Sequence, residues 1–365
     1  MGNNTRERII FLISSSIAGG GQIYLYNIIE YIQDHFSVLV ICPNGYLSER
    51  IMSLHKVDIE NMDINYKTIS KIRAIILVEV KKYRNISINA HLLGTALWTC
   101  LALSNIPKIR FVVTIHNKVI YDGISIIKRL SLPFIIRYLS KKADDFIGVS
   151  QEITDSIEQI TGKKFKYIPS SVPITSAPKN IKYYNCNQHE IIVGFVGRLS
   201  KLKNPIRFIE AAALVHKRIP NTIFHIIGDG ELRKKCEIRV AELGLLDVVK
   251  FLGFIQDSQS VMRKLDILAI SSNSEGTPLV LLEAMSMGIP VVATRVGAIP
   301  LVIQQKVNGL LATQCTSEGL ASEIVMVLTD IELYKKVAYN GYKTINEQFN
   351  YARNLNIYIN VLLGR

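Results

Sequence analysis

The chain has 365 residues, 48% of them hydrophobic, which excludes a largely disordered protein and allows two domains with sizeable cores. Its formal net charge of +13 favours an anionic partner such as a nucleotide, a phospholipid or a nucleic acid. The five scattered cysteines have no Cys-x-x-Cys spacing, so neither a zinc site nor a disulfide framework is indicated, and a reducing cytoplasm is expected.

Short apolar runs alternate with helix-length segments through the first half of the chain. The runs at 8–14, 37–41, 86–90, 109–115 and 145–149 are typical of buried parallel strands, and the glycine run at 19–21 forms a predicted turn after the first of them. The uncharged stretch 85–107 is broken by polar residues and Gly94, so a buried strand and helix are favoured over a membrane span. This alternation predicts a doubly wound α/β domain.

The pattern restarts after a change in composition. Prolines and small hydroxyl residues crowd 168–178, which suggests a linker. Strand-like runs then occur at 191–196, 222–227, 248–252, 267–270 and 290–294, and the tail from about 346 to 365 has a helical pattern. A second doubly wound domain is therefore expected.

The segment between Glu275 and Glu283 has the features of a loop that enters a helix. Thr277 suits the N-cap, and Pro278 suits the first helical position. The free amides of the next two residues, with the helix dipole behind them, would favour an anion. One carboxylate would lie before this helix end and the other inside the helix. The same segment also fits an ordinary capped helix with two surface glutamates.

A basic loop follows the strand at 191–196. Arg198 and Lys203 would lie at the carboxyl end of this strand, and the next helix would begin with Asn204 as cap and Pro205 in the first position. A guanidinium and an ammonium group together suit a diphosphate, although the loop alone also fits two solvated cations. Combined with the anion-binding helix end, the loop favours the phosphate interpretation.

These motifs, in this order, resemble those of the family 4 glycosyltransferases (glycosyl transferases group 1), retaining enzymes of the GT-B fold that use nucleotide-sugar donors. The matching segments are Glu275 to Glu283, residues 197–204, the glycine run 19–21, residues 114–116 and residues 149–150. The resemblance implies an α/β protein with two Rossmann-like, doubly wound domains facing across a cleft. Residues 1–172 would bind the acceptor, residues 173–345 would bind the donor, and the helix at about 346–365 would pack back on the first domain.

The resemblance also implies roles for individual residues. Glu275, beside the donor sugar, and His116, near the reaction centre, would be the catalytic residues. His91, which follows the strand at 86–90, could line the cleft, but a lone histidine is more often structural. The donor-binding residues would comprise the glycine run, the two cations, an aromatic residue near the base, the helix end and the ribose-binding glutamate: Gly19, Gly20, Gly21, Arg198, Lys203, Phe254, Gly276, Thr277, Pro278, Leu279, Val280 and Glu283.

The implied reaction moves a sugar from a UDP- or GDP-linked donor to a glycan, expected to be lipid-linked, of a bacterial surface. No cofactor is expected, and no Asp-x-Asp pair suggests a metal site. A front-face reaction and a covalent intermediate both remain open. The alternatives are another GT-B enzyme, such as a nucleotide-sugar epimerase or a sugar phosphorylase, and a non-catalytic binding protein on the same fold.

The first half also contains basic amphipathic segments, including 124–142. Such a segment can bind an anionic membrane surface, although a solvated helix face is an equally good interpretation. No nucleic-acid motif accompanies the basic charge. Because the start of the chain lacks the apolar core of a signal peptide, we expect a cytoplasmic protein. The basic segments suggest, in addition, a peripheral position on the inner face of the plasma membrane.

Overall fold

The computed structural model describes residues 7–17, 19–106, 109–116, 125–173 and 190–365. The predicted linker at 168–178 and the predicted amphipathic segment at 124–142 extend in part outside these ranges. The chain divides into two compact units, Met1–Ser170 with Tyr351–Arg365, and Ser171–Asn350. The sequence places this boundary at 172/173 and the start of the returning tail at about 346.

The first unit contains a parallel sheet that is seven-stranded within the described residues, in the order β3-β2-β1-β4-β5-β6-β7. Its strands are β1 Arg8–Ile13, β2 Ser37–Cys42, β3 Val57–Asn61, β4 Ile86–His91, β5 Ile109–Ile115, β6 Asp145–Gly148 and β7 Lys166–Tyr167. Its helices are α1 Gly20–Ile32, α2 Tyr46–Met52, α3 Ile69–Lys82, α4 Leu93–Ala102, α5 Ile126–Lys142 and α6 Gln151–Thr161, with a 3₁₀ turn at Tyr66–Thr68.

The second unit contains another parallel sheet, six-stranded in the described part, in the order β10-β9-β8-β11-β12-β13. Its strands are β8 Ile191–Val196, β9 Thr222–Ile227, β10 Val249–Gly253, β11 Ile267–Ile270, β12 Val291–Ala293 and β13 Leu310–Leu311. Its helices are α7 Pro205–Arg218, α8 Arg233–Glu242, α9 Ser258–Met262, α10 Leu279–Ser286, α11 Ile299–Val302, α12 Ser317–Thr329 and α13 Ile331–Gln348.

The final helix, α14 (Tyr351–Leu363), belongs to the first unit. Tyr351 donates a hydrogen bond of 2.6 Å to the carbonyl of Asn27 in α1, and Arg110 in β5 donates one of 2.8 Å to the carbonyl of Val361. The side chain of Tyr358 is fully buried beside β4 and β5. The last turns of the chain are therefore part of the core of the first unit.

Two doubly wound parallel sheets confirm the predicted α/β fold class. Every predicted strand occurs, because central parallel strands are covered on both faces and are nearly continuous apolar runs. The sequence does not predict β3, β7 and β13. The edge strand β3 alternates charged and apolar side chains that are at most half-buried, and the other two have only two residues each.

The uncharged stretch 85–107 forms β4 and α4, as predicted, within the part of it that the structure describes. Across the described ranges, no helix combines the length and the apolar character that crossing a bilayer requires.

Candidate functional site

Two loops of the second unit meet at the carboxyl ends of the neighbouring strands β8 and β11. The hydroxyl of Ser271 donates hydrogen bonds of 3.1 and 2.9 Å to the carbonyls of Lys203 and Asn204. The backbone amide of Asn273 donates to the carbonyl of Leu202 at 2.8 Å. These bonds hold the loop before α7 against the loop before α10, at the sheet edge where parallel α/β sheets bind ligands.

Across this junction, Lys203 contacts Glu275. The Lys203 Nζ lies 2.5 Å from Glu275 Oε1, and the hydroxyl of Ser272 donates to the same oxygen at 2.5 Å. Only 7% of the glutamate side chain and 26% of the lysine side chain are exposed. The structure thus brings together, as a partly buried ion pair, the lysine predicted to bind phosphate and the glutamate predicted to contact the sugar.

The start of α10 differs from the prediction in one respect. The N-cap is Pro278 and not Thr277: Pro278 is extended, and its carbonyl accepts hydrogen bonds from the amides of Leu281 and Leu282. Proline fits both the N-cap and the first helical position because its fixed φ is common to extended and helical backbone. The helix therefore starts one residue later than predicted, and Leu279 and Val280 still supply its first amides.

The other predicted residues of the second unit lie on the same sheet edge or in the helix behind it. Glu283 is buried within α10 and accepts a hydrogen bond of 3.4 Å from Gln259. Arg198 directly follows Gly197 after β8 and is exposed. Phe254 follows β10 and is 56% exposed. As predicted, Asn204 caps α7, with its side chain accepting from the amide of Arg207 and Pro205 in the first position.

Glycines allow the backbones of these loops to cross at close range. A Cβ on Gly297 would lie 1.7 Å from the carbonyl oxygen of Glu275, and one on Gly228 would lie 2.0 Å from that of Gly197. The amide of Leu199 also donates to the carbonyl of Asp229. The turn after β9 therefore supports the basic loop that follows β8.

In the first unit, the predicted glycine turn is instead the start of α1. Gly19 is the extended N-cap, and Gly20 and Gly21 lie in the first helical turn. A Cβ on Gly21 would lie 3.3 Å from Cγ of His116, so the absence of a side chain here leaves space for an imidazole ring. Approach of this backbone to a phosphate remains a prediction.

His116, predicted as catalytic, pairs with the fully buried His91. Nε2 of His116 lies 2.7 Å from Nδ1 of His91. Burial lowers the pKa of His116 to about 4. Burial and, secondly, the charge that His116 would carry lower the pKa of His91 well below its ordinary value. The sequence favours a structural role for His91 over a place in the cleft, and its position after a predicted strand is the signal for the cleft.

Among the described residues, no group of three or more histidine, cysteine, aspartate or glutamate side chains could hold a metal ion. Metal independence of the chemistry remains a prediction.

We expect the stability of the protein to depend on the histidine pair below neutral pH. Both pKa values are lowered on folding, so the unfolded chain binds more protons and the free energy of unfolding falls as the pH drops from about 6.5 towards 4. Urea unfolding across this range should show a shallower fall for His116→Asn than for the wild type. His55→Asn, which alters an exposed histidine of the same unit, is the control, and equal slopes in all three proteins would contradict the assignment.

We also expect Gly297→Ala to disturb the loop of Glu275. Gly297 and Gly244 both have positive φ (52° and 68°), but only the first would place a Cβ against backbone. Gly244→Ala should cost about 1 kcal/mol for the left-handed conformation alone. Gly297→Ala should cost clearly more in urea unfolding and should speed amide hydrogen exchange in residues 271–280. Equal costs for the two variants would show that the close approach is unimportant.

Comparisons with known proteins agree with this geometry. The sequence-family model for glycosyl transferases group 1 matches residues 176–344. The family model for glycosyltransferase family 4 matches residues 18–175. The crystal structure of HepE from Anabaena in complex with UDP and glucose superposes with a TM-score of 0.82 at 23% identity, covering 98% of this chain and 100% of that one. Such a likeness establishes the fold alone.

Two curated relatives illustrate the sequence similarity. The N-acetyl-alpha-D-glucosaminyl L-malate synthase of Bacillus anthracis is 26% identical over 251 residues, 66% of this chain and 64% of the relative. The UDP-Gal:alpha-D-GlcNAc-diphosphoundecaprenol alpha-1,3-galactosyltransferase of Escherichia coli is 26% identical over 191 residues, 50% of this chain and 49% of the relative. The matched segments thus span 64% and 49% of these two relatives. With both of its halves matched by the family models, the chain belongs to the family 4 glycosyltransferases of the GT-B fold.

Proposed function

We propose that the protein transfers a sugar, with retention of anomeric configuration, from a UDP- or GDP-sugar to a lipid-linked glycan of a bacterial surface. The observation that carries this proposal is the contact between Lys203 and Glu275 at the carboxyl ends of β8 and β11. The UDP form of the donor is supported by the HepE complex with UDP and glucose and by the name of the Escherichia coli relative.

In the proposed donor complex, Lys203 exchanges its partner. A diphosphate oxygen would compete with Glu275 for the ammonium group, and the exposed guanidinium of Arg198 and the first amides of α10 would add further donors. Because fixed donors offset the negative charge of the departing diphosphate, they lower the barrier for breaking the anomeric bond. Glu275, still held by Ser272, would then face the developing positive charge of the sugar.

We favour a front-face reaction without a metal ion. The bond between the anomeric carbon and the diphosphate oxygen breaks, the acceptor oxygen forms its bond on the same face, and the acceptor proton passes to the departing diphosphate. The first amides of α10, together with Arg198 and Lys203, would stabilise the charge of the departing diphosphate. In metal-dependent enzymes a divalent ion does this. Activity should therefore survive EDTA, whereas its loss and restoration by Mg²⁺ would contradict this part of the proposal.

The lipid-linked acceptor and a peripheral position on the cytoplasmic membrane face are supported by the name of the Escherichia coli relative and by the surface of α5. Four apolar side chains of this helix are mostly exposed, with Ile127 at 76% and Phe134 at 71%: Ile126, Ile127, Leu130 and Phe134. Lys141 and Lys142 occupy its last turn. An apolar helix face with cations beside it suits an anionic bilayer.

We expect Arg198→Ala and Lys203→Ala each to weaken the binding of UDP and UDP-sugars by about tenfold to a hundredfold, because each removes a charged hydrogen bond to phosphate. Isothermal titration calorimetry measures the effect, and Lys201→Ala, in the same loop with an exposed side chain, should bind normally. Thermal unfolding of Lys203→Ala must accompany the titration, since this variant leaves Glu275 without its ion-pair partner. Unchanged affinity in both variants would contradict the proposed site.

Product analysis separates the alternative activities. The purified protein is incubated with UDP- or GDP-sugars and polyprenyl-diphosphate-linked acceptors, and a new glycoside with retained configuration is expected. A free epimerised nucleotide sugar or a sugar phosphate would instead indicate an epimerase or a phosphorylase. Saturable donor binding with no product from a broad acceptor panel would favour the non-catalytic alternative.

We expect the protein to sediment with anionic lipid vesicles and to be released by added salt, because surface charge attraction is screened. Ile127→Ser with Phe134→Ser should reduce sedimentation by removing exposed apolar surface. Leu246→Ser is the matched control, an exposed apolar residue of the second unit. Equal sedimentation with neutral vesicles, or no effect of the double variant, would contradict the membrane proposal.

A further inference from the structure

A chain of buried polar side chains lies behind His116. Tyr358 of α14 places its hydroxyl 3.3 Å from Nε2 of His91, and Nδ1 of His91 contacts Nε2 of His116 at 2.7 Å. The same hydroxyl lies 2.8 Å from Oδ1 of Asn89 and 2.9 Å from Oγ1 of Thr114. Asn89, His91, Thr114 and Tyr358 are all fully buried, so protein partners have to satisfy their polar atoms.

The direction of the hydrogen bonds follows from the amide of Asn89. Its Nδ2 donates to the carbonyl of Val112 at 3.2 Å and to Oγ1 of Thr114 at 3.0 Å, which fixes Oδ1 on the side of Tyr358. Two oxygens 2.8 Å apart need a proton between them, and only Tyr358 can supply it to an amide oxygen. Tyr358 therefore donates its hydroxyl proton to Oδ1 of Asn89.

The tautomers of both histidines follow from the hydrogen bond that Tyr358 donates to Asn89. Since the oxygen of Tyr358 can only accept from His91, Nε2 of His91 carries a proton and its Nδ1 is an acceptor. At 2.7 Å the facing Nε2 of His116 must then be the donor. The ring planes lie 23° apart, an angle that suits a hydrogen bond in the plane of both rings. Neutral His116 thus has its proton on Nε2 and a bare Nδ1.

The ring of His116 is also held sterically. A Cβ on Gly21 would lie 3.3 Å from Cγ of His116, closer than ordinary contact, so the ring lies directly beside this glycine. Tyr24 packs edge-on against the same ring, with ring centroids 5.6 Å apart. Tyr24 in turn packs edge-on against Tyr358 at 6.0 Å. The orientation and the tautomer of His116 are thus fixed by α1, β4 and α14 together.

We propose that Tyr358 and His91 are positioning residues that hold His116 as the Nε2–H tautomer, so that its bare Nδ1 accepts a hydrogen bond from a neutral sugar hydroxyl. This proposal rests on the proposed transferase function, because the hydroxyl belongs to a substrate. A carboxylate at the same place would face the lone pair of Nδ1 of His116, with no proton between them to form a hydrogen bond. The arrangement therefore selects a neutral sugar over a uronic acid. The C-terminal helix thereby acts on the chemistry through His91 without touching substrate.

The tautomer is tested on the free protein, without any substrate. Long-range ¹H–¹⁵N correlation spectra of ¹⁵N-histidine protein, assigned by histidine variants, report which ring nitrogen carries the proton. At pH 7 both His91 and His116 should be Nε2–H tautomers. A proton on Nδ1 of His116 in the wild-type protein would overturn the proposal regardless of any activity.

Tyr358→Phe keeps the ring and removes the hydroxyl. Nε2–H of His91 then loses its acceptor, so the pair should shift to the opposite arrangement, with Nδ1–H of His91 donating to His116 and Nδ1 of His116 protonated. Tyr351→Phe is the matched control, since it removes a part-buried hydroxyl hydrogen bond of the same helix, to the carbonyl of Asn27 and not to a histidine. A His116 spectrum that is the same in Tyr358→Phe and the wild type would overturn the role of Tyr358.

Kinetics test the consequence for catalysis. Tyr358→Phe should lower kcat about tenfold, the size expected for one lost hydrogen bond, with little change in KM for the donor and normal thermal stability relative to Tyr351→Phe. An altered tautomer with unchanged kcat would overturn the positioning role. If the wild-type protein forms no glycoside while its spectra show the expected tautomers, the transferase function fails and the histidine arrangement stands.

Discussion

The charge pair of Lys203 and Glu275 is the interaction on which the candidate site depends. A carboxylate that is 7% exposed needs a compensating partner, and here it receives an ammonium group and a hydroxyl on one oxygen. The pair also joins the loop that follows β8 to the loop that follows β11. Under the proposed function, a diphosphate would compete with this glutamate for the ammonium group of Lys203.

Backbone geometry makes this pair possible. The loops approach so closely that Gly228 and Gly297 have a neighbouring carbonyl oxygen where a side chain would begin. Hydrogen bonds from Ser271 and Asn273 then fix the loop before α7. The two charged side chains therefore project from loops that are tied together by hydrogen bonds, which would limit the conformational entropy lost in the proposed donor complex.

Much of the fold could be predicted because its central strands are short apolar runs, whereas β3 is an edge strand with charged side chains. The residues proposed for the donor site come from motif spacing and from the family resemblance. The contact between Lys203 and Glu275 joins residues 72 positions apart, so it depends on strand order, which local pattern does not report. The N-cap is Pro278 and not Thr277 because the fixed φ of proline fits both the N-cap and the first helical position. The partners of His91 come from α14 and from the residue that follows β5, so the local sequence does not show them.

The central claim is that a sugar-nucleotide diphosphate binds where Lys203 now contacts Glu275. A crystal structure of the protein with UDP bound tests it most directly. We predict that a diphosphate oxygen lies within hydrogen-bond distance of Lys203 Nζ and of the first amides of α10, with the distance from Nζ to Glu275 lengthened. A diphosphate remote from Arg198, Lys203 and residues 277–280, with the ion pair unchanged, would contradict the account.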